Sequence, residues 1–170
     1  VIKKVREFEE ERSWYFASLT IHDSEDVIHP FELKVTSYLL DSHDALQFPV
    51  FPLMKMPRFS NYLENLTTGT YADEFAENHF NTMVSRYTSK AFVPSAGTGF
   101  VLSKKTLDSF GEEDVLPKDS LTEDYKLSLT LYQKGIRIYY VLEQVPRIDV
   151  RGKLIWDFVT TRSIFPSTFK

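Results

Sequence analysis

The sequence predicts an α/β protein built around a largely parallel sheet with flanking helices. Helical and strand-like segments alternate along the 170 residues, and 42% of them are apolar, which is enough for one domain with a core. A run of carboxylates directly follows the first strand-like segment, and ligands of such sheets bind beyond the carboxyl ends of the strands. We therefore predict that residues 1–170 form a single domain with a site at this edge of its sheet.

The first third of the chain contains patterns for two helices and two strands. Residues 3–12 are charged and free of proline, and they predict an exposed helix. Aromatic and β-branched residues over 14–21 predict a strand. Pro30 suits the first position of a helix that ends near Asp41. Residues 45–53 predict a second strand, which its two prolines shorten or place at an edge.

The middle of the chain contains its longest proline-free stretch. Apolar residues recur at helical spacing over residues 60–88, and we expect Gly69 to break or start this helix. Residues 91–105 predict a short strand, a glycine loop and another strand. The order of elements is therefore helix, strand, loop and strand.

The clearest helix follows, in SLTEDYKLSLTLYQKG. Ser120 and Glu123 have the spacing of a capping box, and Gly135 is a typical C-terminal stop. Residues 136–150 predict one or two strands. The apolar residues among the last twenty predict a partly helical end.

Composition excludes several classes of protein. The net charge of −4 argues against a general nucleic-acid binder, so we expect no nucleic-acid partner. The absence of cysteine removes disulfides, thiolate metal sites and a cysteine nucleophile. No apolar run approaches the roughly 20 residues of a membrane span. The chain begins at Val1 and ends in TTRSIFPSTFK, and we expect it to be a piece of a longer protein.

Three acids are crowded into HDSED, directly after the first strand pattern. Asp23 and Glu25 are two residues apart, and in an extended segment such side chains point the same way and can reach one hard cation. Mg²⁺ or Mn²⁺ is the expected ion, because both prefer oxygen ligands and leave room for substrate phosphates. The alternative is an acidic turn that caps the helix starting at Pro30.

Two further motifs have a chemical and a plain interpretation. Asp124 lies in the first turn of the clearest helix, where the helix dipole keeps a carboxylate ionised and able to act as a general base. It and Glu123 are alternatively ordinary first-turn acids. The glycine loop at residues 97–99 either lets the backbone approach a substrate closely or is a plain turn, and it matches neither phosphate-loop pattern.

The pairs His22–Asp23 and His43–Asp44 raise a different hypothesis, a metal-dependent phosphohydrolase. It predicts a helix before His22 and a position for His79 close to the metal. Because His79 lies among apolar residues, we expect it to be a core histidine instead.

The order of these motifs resembles the family 2 glycosyltransferases, in particular membrane-embedded, cellulose-synthase-like members from bacteria. The segments that carry the resemblance are HDSEDVIHPFEL, GTYADEFAENH, VPSAGTGF and LTEDYKLSLTLYQKG. The resemblance runs from about Ser13 to the C-terminus, and the T-E-D helix is its most specific part.

The resemblance implies a GT-A fold, a Rossmann-like nucleotide-sugar domain that is only partly present. It implies that Asp23 and Glu25 hold Mg²⁺ or Mn²⁺ and that Asp124 is the catalytic base, placed by Thr122 and Glu123. The implied donor-binding residues are Asp26, Gly97, Thr98 and Gly99.

The implied reaction is an inverting transfer from a nucleotide-sugar donor to a saccharide acceptor. It would serve an envelope or exported polysaccharide at the cytoplasmic face of the bacterial inner membrane, which the protein reaches through flanking segments. The family's earlier nucleotide-binding strand and its Gln-x-x-Arg-Trp motif are missing from these residues. The remaining alternative is a non-catalytic GT-A-like binding or scaffold module of a membrane transport or phage-receptor assembly.

Overall fold

The computed structural model describes residues 2–53, 62–111 and 122–164. Its α-helices are α1 (Ile2–Arg12), α2 (Glu32–Leu39), α3 (Tyr62–Glu77), α4 (Met83–Thr88), α5 (Lys104–Ser109) and α6 (Glu123–Gln133). A π-helical turn, Asn78–Thr82, joins α3 to α4. The strands are β1 (Ser18–Ile21), β2 (Asp26–Val27), β3 (Ala45–Gln47), β4 (Val50–Leu53), β5 (Phe100–Ser103), β6 (Ile138–Tyr140), β7 (Gln144–Ile148), β8 (Leu154–Phe158) and β9 (Thr161–Ile164). None of the helices in these ranges is long and apolar enough to cross a membrane.

The main sheet has the strand order β1-β5-β3-β6. The α/β class is confirmed, but the expectation of a largely parallel sheet is wrong for the described strands. Strand β5 pairs antiparallel with both β1 and β3, and only β3 and β6 are parallel neighbours. The physical reason is the position of the glycine loop: the Phe48 N–H, just after β3, donates to the Gly99 carbonyl at 2.8 Å. Strand β5 therefore starts where β3 ends and runs back.

Smaller sheets surround this one. Strand β9 lies between β2, to which it is antiparallel, and β4, to which it is parallel. Strands β7 and β8 form an antiparallel pair. The predicted helical end is wrong for residues 151–164, because β8 pairs with β7 and its burial alternates with a period of two. Residues 165–170 lie outside the described part.

The core occupies both faces of the main sheet, because neighbouring strand residues point to opposite sides. One cluster joins the sheet to α4, α5 and α6 and contains Ala45, Met83, Val93, Phe100, Leu102, Leu107, Phe110, Leu127, Leu131, Ile138 and Tyr140. The other lies against α2 and contains Leu39, Leu46, Phe48, Val101, Val141 and Val159. The sheet is thus fixed from both sides, and its strand ends are held in place.

The signals at the two ends of α6 differ in their outcome. Gly135 stops the helix as predicted: the Gly135 N–H donates to the Tyr132 carbonyl at 3.0 Å, and the Ile136 N–H donates to the Leu131 carbonyl at 2.9 Å. At the other end Thr122 is the N-cap and Glu123 the first helical residue, so Glu123 is not at the third position that a capping box requires. Ser120 lies outside the described residues.

Two predictions for the middle of the chain are wrong. Gly69 neither breaks nor starts a helix but lies inside α3. Residues 91–96 form no strand, and β5 is the strand of the 91–105 segment. Gly69 is tolerated inside α3 because a single glycine costs a helix only about 1 kcal/mol, which the other residues of the helix can offset.

Candidate functional site

The structure brings the three acid and glycine motifs together at one end of the main sheet. The turn at residues 23–26 follows β1, the glycine loop precedes β5, and Asp124 is in the first turn of α6. The Asp23 N–H donates to the Thr98 hydroxyl oxygen at 3.3 Å. A Cβ placed on Gly97 would lie 3.4 Å from Asp124 Oδ2. The glycine loop therefore contacts the acidic turn on one side and the α6 carboxylate on the other.

Asp26 shapes the acidic turn from within. Its side chain is fully buried. Its Oδ2 accepts from the Asp23 N–H at 3.1 Å and from the Thr98 hydroxyl, and its own N–H donates to the Asp23 carbonyl at 3.1 Å. The segment is thus a turn and not the extended stretch we expected. The alternative of a helix-capping turn is also wrong, because α2 has no side-chain cap and the Glu32 N–H donates to the His29 carbonyl.

Asp23 and Glu25 are exposed beside the buried carboxylate of Asp26. Partial burial, followed by the negative charges of Asp26 and Glu25, raises the pKa of Asp23. No lysine or arginine of the described ranges forms an ion pair with either exposed acid. Within the described ranges, the two carboxylates thus provide oxygen ligands without a lysine or arginine partner.

By their chemistry, two carboxylates suit a divalent ion that shares its coordination with a substrate. Mg²⁺ is typically held by one or two carboxylates, with waters and substrate phosphates completing the octahedron. Within the described residues there is no group of three or more metal-ligating side chains, so a site made of protein ligands alone is not found there. Asp23 and Glu25 are the residues suited to hold Mg²⁺ or Mn²⁺.

A buried polar network lies beneath the acidic turn. His22 Nε2 and Glu32 Oε1 are 2.6 Å apart, and the Thr161 hydroxyl donates to Glu32 Oε2 at 3.4 Å. The Glu32 carboxylate, assisted by Asp26, raises the pKa of His22, although burial opposes this shift. Glu32 was missed at the sequence level, because an acid in the first turn of a helix is unremarkable there.

Asp124 is partly exposed and oriented by its neighbours. Its Oδ1 accepts from the Tyr125 N–H at 2.8 Å. The Ser128 hydroxyl donates to the Asp124 carbonyl at 2.8 Å and accepts from the Ser95 N–H at 2.6 Å. Ser128 thus connects α6 to the segment that precedes the glycine loop. Thr122 and Glu123 are exposed at the same helix end. The geometry leaves Asp124 Oδ2 facing Gly97 and able to accept a proton.

Gln47 was also missed at the sequence level, although a glutamine within an apolar strand is a visible signal. Its side chain is fully buried. Its amide nitrogen donates to the Thr98 carbonyl at 2.8 Å and to the Gly99 carbonyl at 3.3 Å, and its amide oxygen accepts from the Ala96 N–H at 2.9 Å. Gln47 therefore fixes the glycine loop to the end of β3.

The phosphohydrolase hypothesis fails on both of its requirements. Strand β1, not a helix, precedes His22. His79 is buried in the core, with its Nδ1 at 3.1 Å from the Tyr140 hydroxyl and 3.4 Å from the Val50 N–H. Burial lowers the pKa of His79 to about 4. His79 is a core histidine, as its sequence context predicted.

Comparison with known proteins gives a family match and two similar proteins. Residues 3–170 match the family described as glycosyltransferase like family 2. The chain is 31% identical over 180 residues to bacteriophage adsorption protein B of Escherichia coli (strain K12) and, with the same identity, to bacteriophage N4 adsorption protein B of Escherichia coli O157:H7. Each alignment covers 99% of this chain and 23% of the relative, so the chain spans about a quarter of the length of these proteins.

Proposed function

The chain belongs to the glycosyltransferase like family 2, and from this premise we propose that it carries the metal-binding and base-bearing part of an inverting sugar transferase. The family as a whole transfers glycosyl groups. The observation that carries the proposal is the glycine loop, which contacts the acidic turn through Thr98 and faces Asp124 through Gly97. A base and a metal-binding acid pair on opposite sides of one loop are what a displacement at an activated sugar needs.

Asp124 is the proposed general base. It takes the proton from an acceptor hydroxyl, and that oxygen forms a bond to the anomeric carbon of the donor. The bond from the anomeric carbon to the diphosphate oxygen breaks, and the nucleoside diphosphate leaves with the electron pair. A single displacement inverts the anomeric centre. Asp124 lies in the first turn of α6, where its Oδ1 accepts from the Tyr125 N–H.

Asp23 and Glu25 are the proposed ligands of Mg²⁺ or Mn²⁺. When bound, the ion supplies positive charge to the departing diphosphate. Asp26 is proposed to orient this pair from below, because its Oδ2 accepts from the Asp23 N–H and the Thr98 hydroxyl. The same bonds link Thr98 to the donor side. Gly97 and Gly99 complete the proposed donor-binding loop: Gly97 faces Asp124, and Gly99 packs the loop against Thr161.

Thr122 and Glu123 are proposed to place Asp124. Both stand at the start of α6, where Thr122 is the N-cap and Glu123 adds a second acid to the first turn. The support is their position: the Thr122 carbonyl accepts from the Lys126 N–H at 3.1 Å as the helix begins, and Glu123 directly precedes the proposed base.

The proposed substrates are a nucleotide-sugar donor and a saccharide acceptor. We place the whole protein at the cytoplasmic face of the bacterial inner membrane, where it would build an envelope or exported polysaccharide. The support is the resemblance to membrane-embedded members of the family and the bacterial origin of the two relatives. The membrane contact would lie in segments that flank these residues.

Calorimetry with Mn²⁺ and a panel of nucleotide sugars and nucleoside diphosphates tests the proposal. The panel is measured on the 170-residue chain and on a longer chain that includes the upstream segment. Asp23→Asn is expected to weaken metal-dependent binding by at least about tenfold, since it removes a charged ligand. Asp41→Asn, an exposed acid elsewhere, is the matched control and should bind normally.

A second measurement separates binding from chemistry. In the longer chain, Asp124→Asn should retain donor binding while transfer falls by roughly 10²–10⁴-fold, the usual contribution of a general base. Metal-independent binding in the longer chain, or equal transfer by Asp124→Asn and the unaltered protein, would contradict the assigned roles.

A non-catalytic binding module is the second candidate, because both relatives are named for bacteriophage adsorption. It predicts that a folded longer chain binds no nucleotide sugar with or without Mn²⁺. The same calorimetric panel therefore distinguishes the two candidates.

A further inference from the structure

A cavity of about 410 Å³ lies at the other end of the main sheet from the candidate site. Strands β1, β3 and β6 run in one direction, and the acidic turn follows β1. The cavity is lined by His43, which precedes β3, and by Arg137, which precedes β6. The C-terminal half of α6 and residues 90–93 complete its wall. Its volume is within the range of small-molecule sites in proteins.

The walls of this cavity are aromatic. The rings of His43 and Tyr139 stack with centroids 4.0 Å apart, and Tyr87 meets Tyr139 edge-on at 5.3 Å. A second ring pair in the lining is Phe92 and Tyr132, which meet edge-on at 5.5 Å. A cavity lined by two groups of flat rings suits a flat, unsaturated ligand, because offset and edge-on ring contacts are both favourable.

Two cations stand at the cavity. Lys90 and Arg137 both contribute to its lining, and neither forms an ion pair with a residue in the described ranges. Charged groups free of a partner at the edge of an apolar cavity favour an anionic ligand group. The chemistry of the lining thus combines ring contacts with positive charge.

The backbone at Lys90 provides independent support. Its φ is 60°, in the left-handed region that favours glycine. Lys90 ends α4: its N–H donates to the Tyr87 carbonyl, and the Ala91 N–H donates to the Arg86 carbonyl, a helix end at which glycine is the usual residue. A lysine held in this conformation keeps a cation at the cavity despite the local strain.

We propose that this cavity binds a flat aromatic anion, and that occupancy is transmitted to the Gly97–Asp124 contact. Residues 90–93 are followed after three residues by the glycine loop. The Ser128 hydroxyl, which lies in the cavity lining, forms hydrogen bonds with both the Ser95 N–H and the Asp124 carbonyl. A ligand that moves this segment or α6 therefore moves Gly97 or Asp124. Any consequence for sugar transfer rests on the proposed function, whereas binding and its structural effect do not.

Two related probes test the binding chemistry on the 170-residue chain. Anilinonaphthalene sulfonate carries a flat fused ring and one anionic group, and N-phenylnaphthylamine has the same rings without the charge. Fluorescence titration is expected to give one saturable site for the sulfonate. Arg137→Gln should weaken sulfonate binding roughly fivefold and leave the neutral probe unchanged, because only the charge contact is lost.

Two further variants locate the site. Tyr132→Ala should weaken both probes about tenfold, since it removes an aromatic wall. Ala91→Trp, at an exposed position of the lining, should fill the opening and abolish binding of both probes without disturbing the core. Tyr38→Ala and Arg151→Gln, which alter an exposed tyrosine and an exposed arginine outside the cavity, are the matched controls.

Amide NMR shifts during the sulfonate titration test the transmission. Shifts of residues 90–93 and 137–139, accompanied by shifts of Ser95, Gly97 and Asp124, would support the whole proposal. Equal binding by Ala91→Trp and the unaltered chain would overturn the site. Amide shifts confined to residues of β7 and β8, which carry exposed apolar side chains, would also overturn it. Binding in the cavity with unchanged Gly97 and Asp124 amides would overturn the transmission.

Discussion

Replacing Gly99 with alanine tests how closely the glycine loop is packed against β9. Gly99 has a φ of 62°, and a Cβ there would lie 2.5 Å from Thr161 Oγ1 and 3.2 Å from Thr161 Cβ. Thr161 is fully buried, and its hydroxyl donates to Glu32. It is also the first residue of β9, paired with Val50. The threonine therefore has little freedom to move away from an added methyl group.

The expected loss of stability has two parts. The left-handed conformation costs an L-residue about 1–2 kcal/mol. Crowding in a packed core adds about 1–3 kcal/mol, so Gly99→Ala should lower the free energy of unfolding by roughly 2–5 kcal/mol. Gly111 has nearly the same φ, 61°, but no atom of the described residues lies within 4 Å of its Cβ position. Gly111→Ala should therefore show only the conformational part.

Urea unfolding followed by circular dichroism measures both variants against the unaltered chain. The difference between the two losses gives the contribution of the Thr161 contact, because the backbone cost is common to both. A double-mutant cycle with Thr161→Ala checks the assignment: removing Thr161 Oγ1 should recover much of the crowding loss in Gly99→Ala.

Equal losses for Gly99→Ala and Gly111→Ala would refute the close packing of the loop on β9. Strictly additive losses for Gly99→Ala and Thr161→Ala would refute the identity of the crowding partner. Either result would leave the loop's position dependent on its hydrogen bonds to Gln47, Phe48 and the acidic turn.

Three further predictions follow from single residues. Burial holds the pKa of His79 at about 4, so protonation of this residue in the unfolded chain should lower the free energy of unfolding as pH falls from about 6.5 to about 4, by on the order of 3 kcal/mol. Urea unfolding at several pH values measures this dependence, and His79→Phe should remove it. The same dependence in His79→Phe and the unaltered chain would contradict the prediction. Lys90→Gly should raise the free energy of unfolding by roughly 1 kcal/mol because glycine relieves the strain of the left-handed backbone, whereas Lys90→Ala should not raise it. Equal stability of the two variants would contradict backbone strain at this position. Gln47→Leu should lower the free energy of unfolding by about 2–4 kcal/mol in the same assay, since it leaves buried polar groups of the glycine loop without hydrogen-bond partners. The control Gln133→Leu, at an exposed position, should change it by less than about 0.5 kcal/mol. Similar losses for the two variants would refute the anchoring role of Gln47.

Local patterns were sufficient to predict the α/β class and most helices. Helix α6 and its stop at Gly135 depend on hydrogen bonds between residues close in the chain, which composition and spacing reveal. The position of the acids after β1 also followed from a local pattern, because Asp23 comes two residues after the last residue of the strand. These features require no knowledge of what lies across the sheet.

Non-local contacts decide the features that the sequence did not predict. Strand β5 runs antiparallel because the glycine loop is fixed at the end of β3, and Gln47 reaches Thr98 across 51 positions of the chain. Glu32 meets Thr161 across 129 positions. No spacing rule identifies such pairs, since an acid in a first helical turn and a threonine in a strand are each ordinary in their own surroundings.

The three acids after β1 differ in burial, and this difference explains why they can lie so close together. Asp26 is buried, its Oδ2 accepts hydrogen bonds from Thr98 and the Asp23 N–H, and His22 Nδ1 lies 3.7 Å from that oxygen. Asp23 and Glu25 remain outside, and their repulsion contributes to the raised pKa of Asp23. A bound cation would relieve this repulsion, so metal binding should lower the pKa of Asp23 and release protons on binding when the carboxyl is partly protonated. Calorimetric titration with Mn²⁺ in buffers of different ionisation enthalpy measures that release, and its absence near the pKa of Asp23 would contradict the assignment of Asp23 as a ligand.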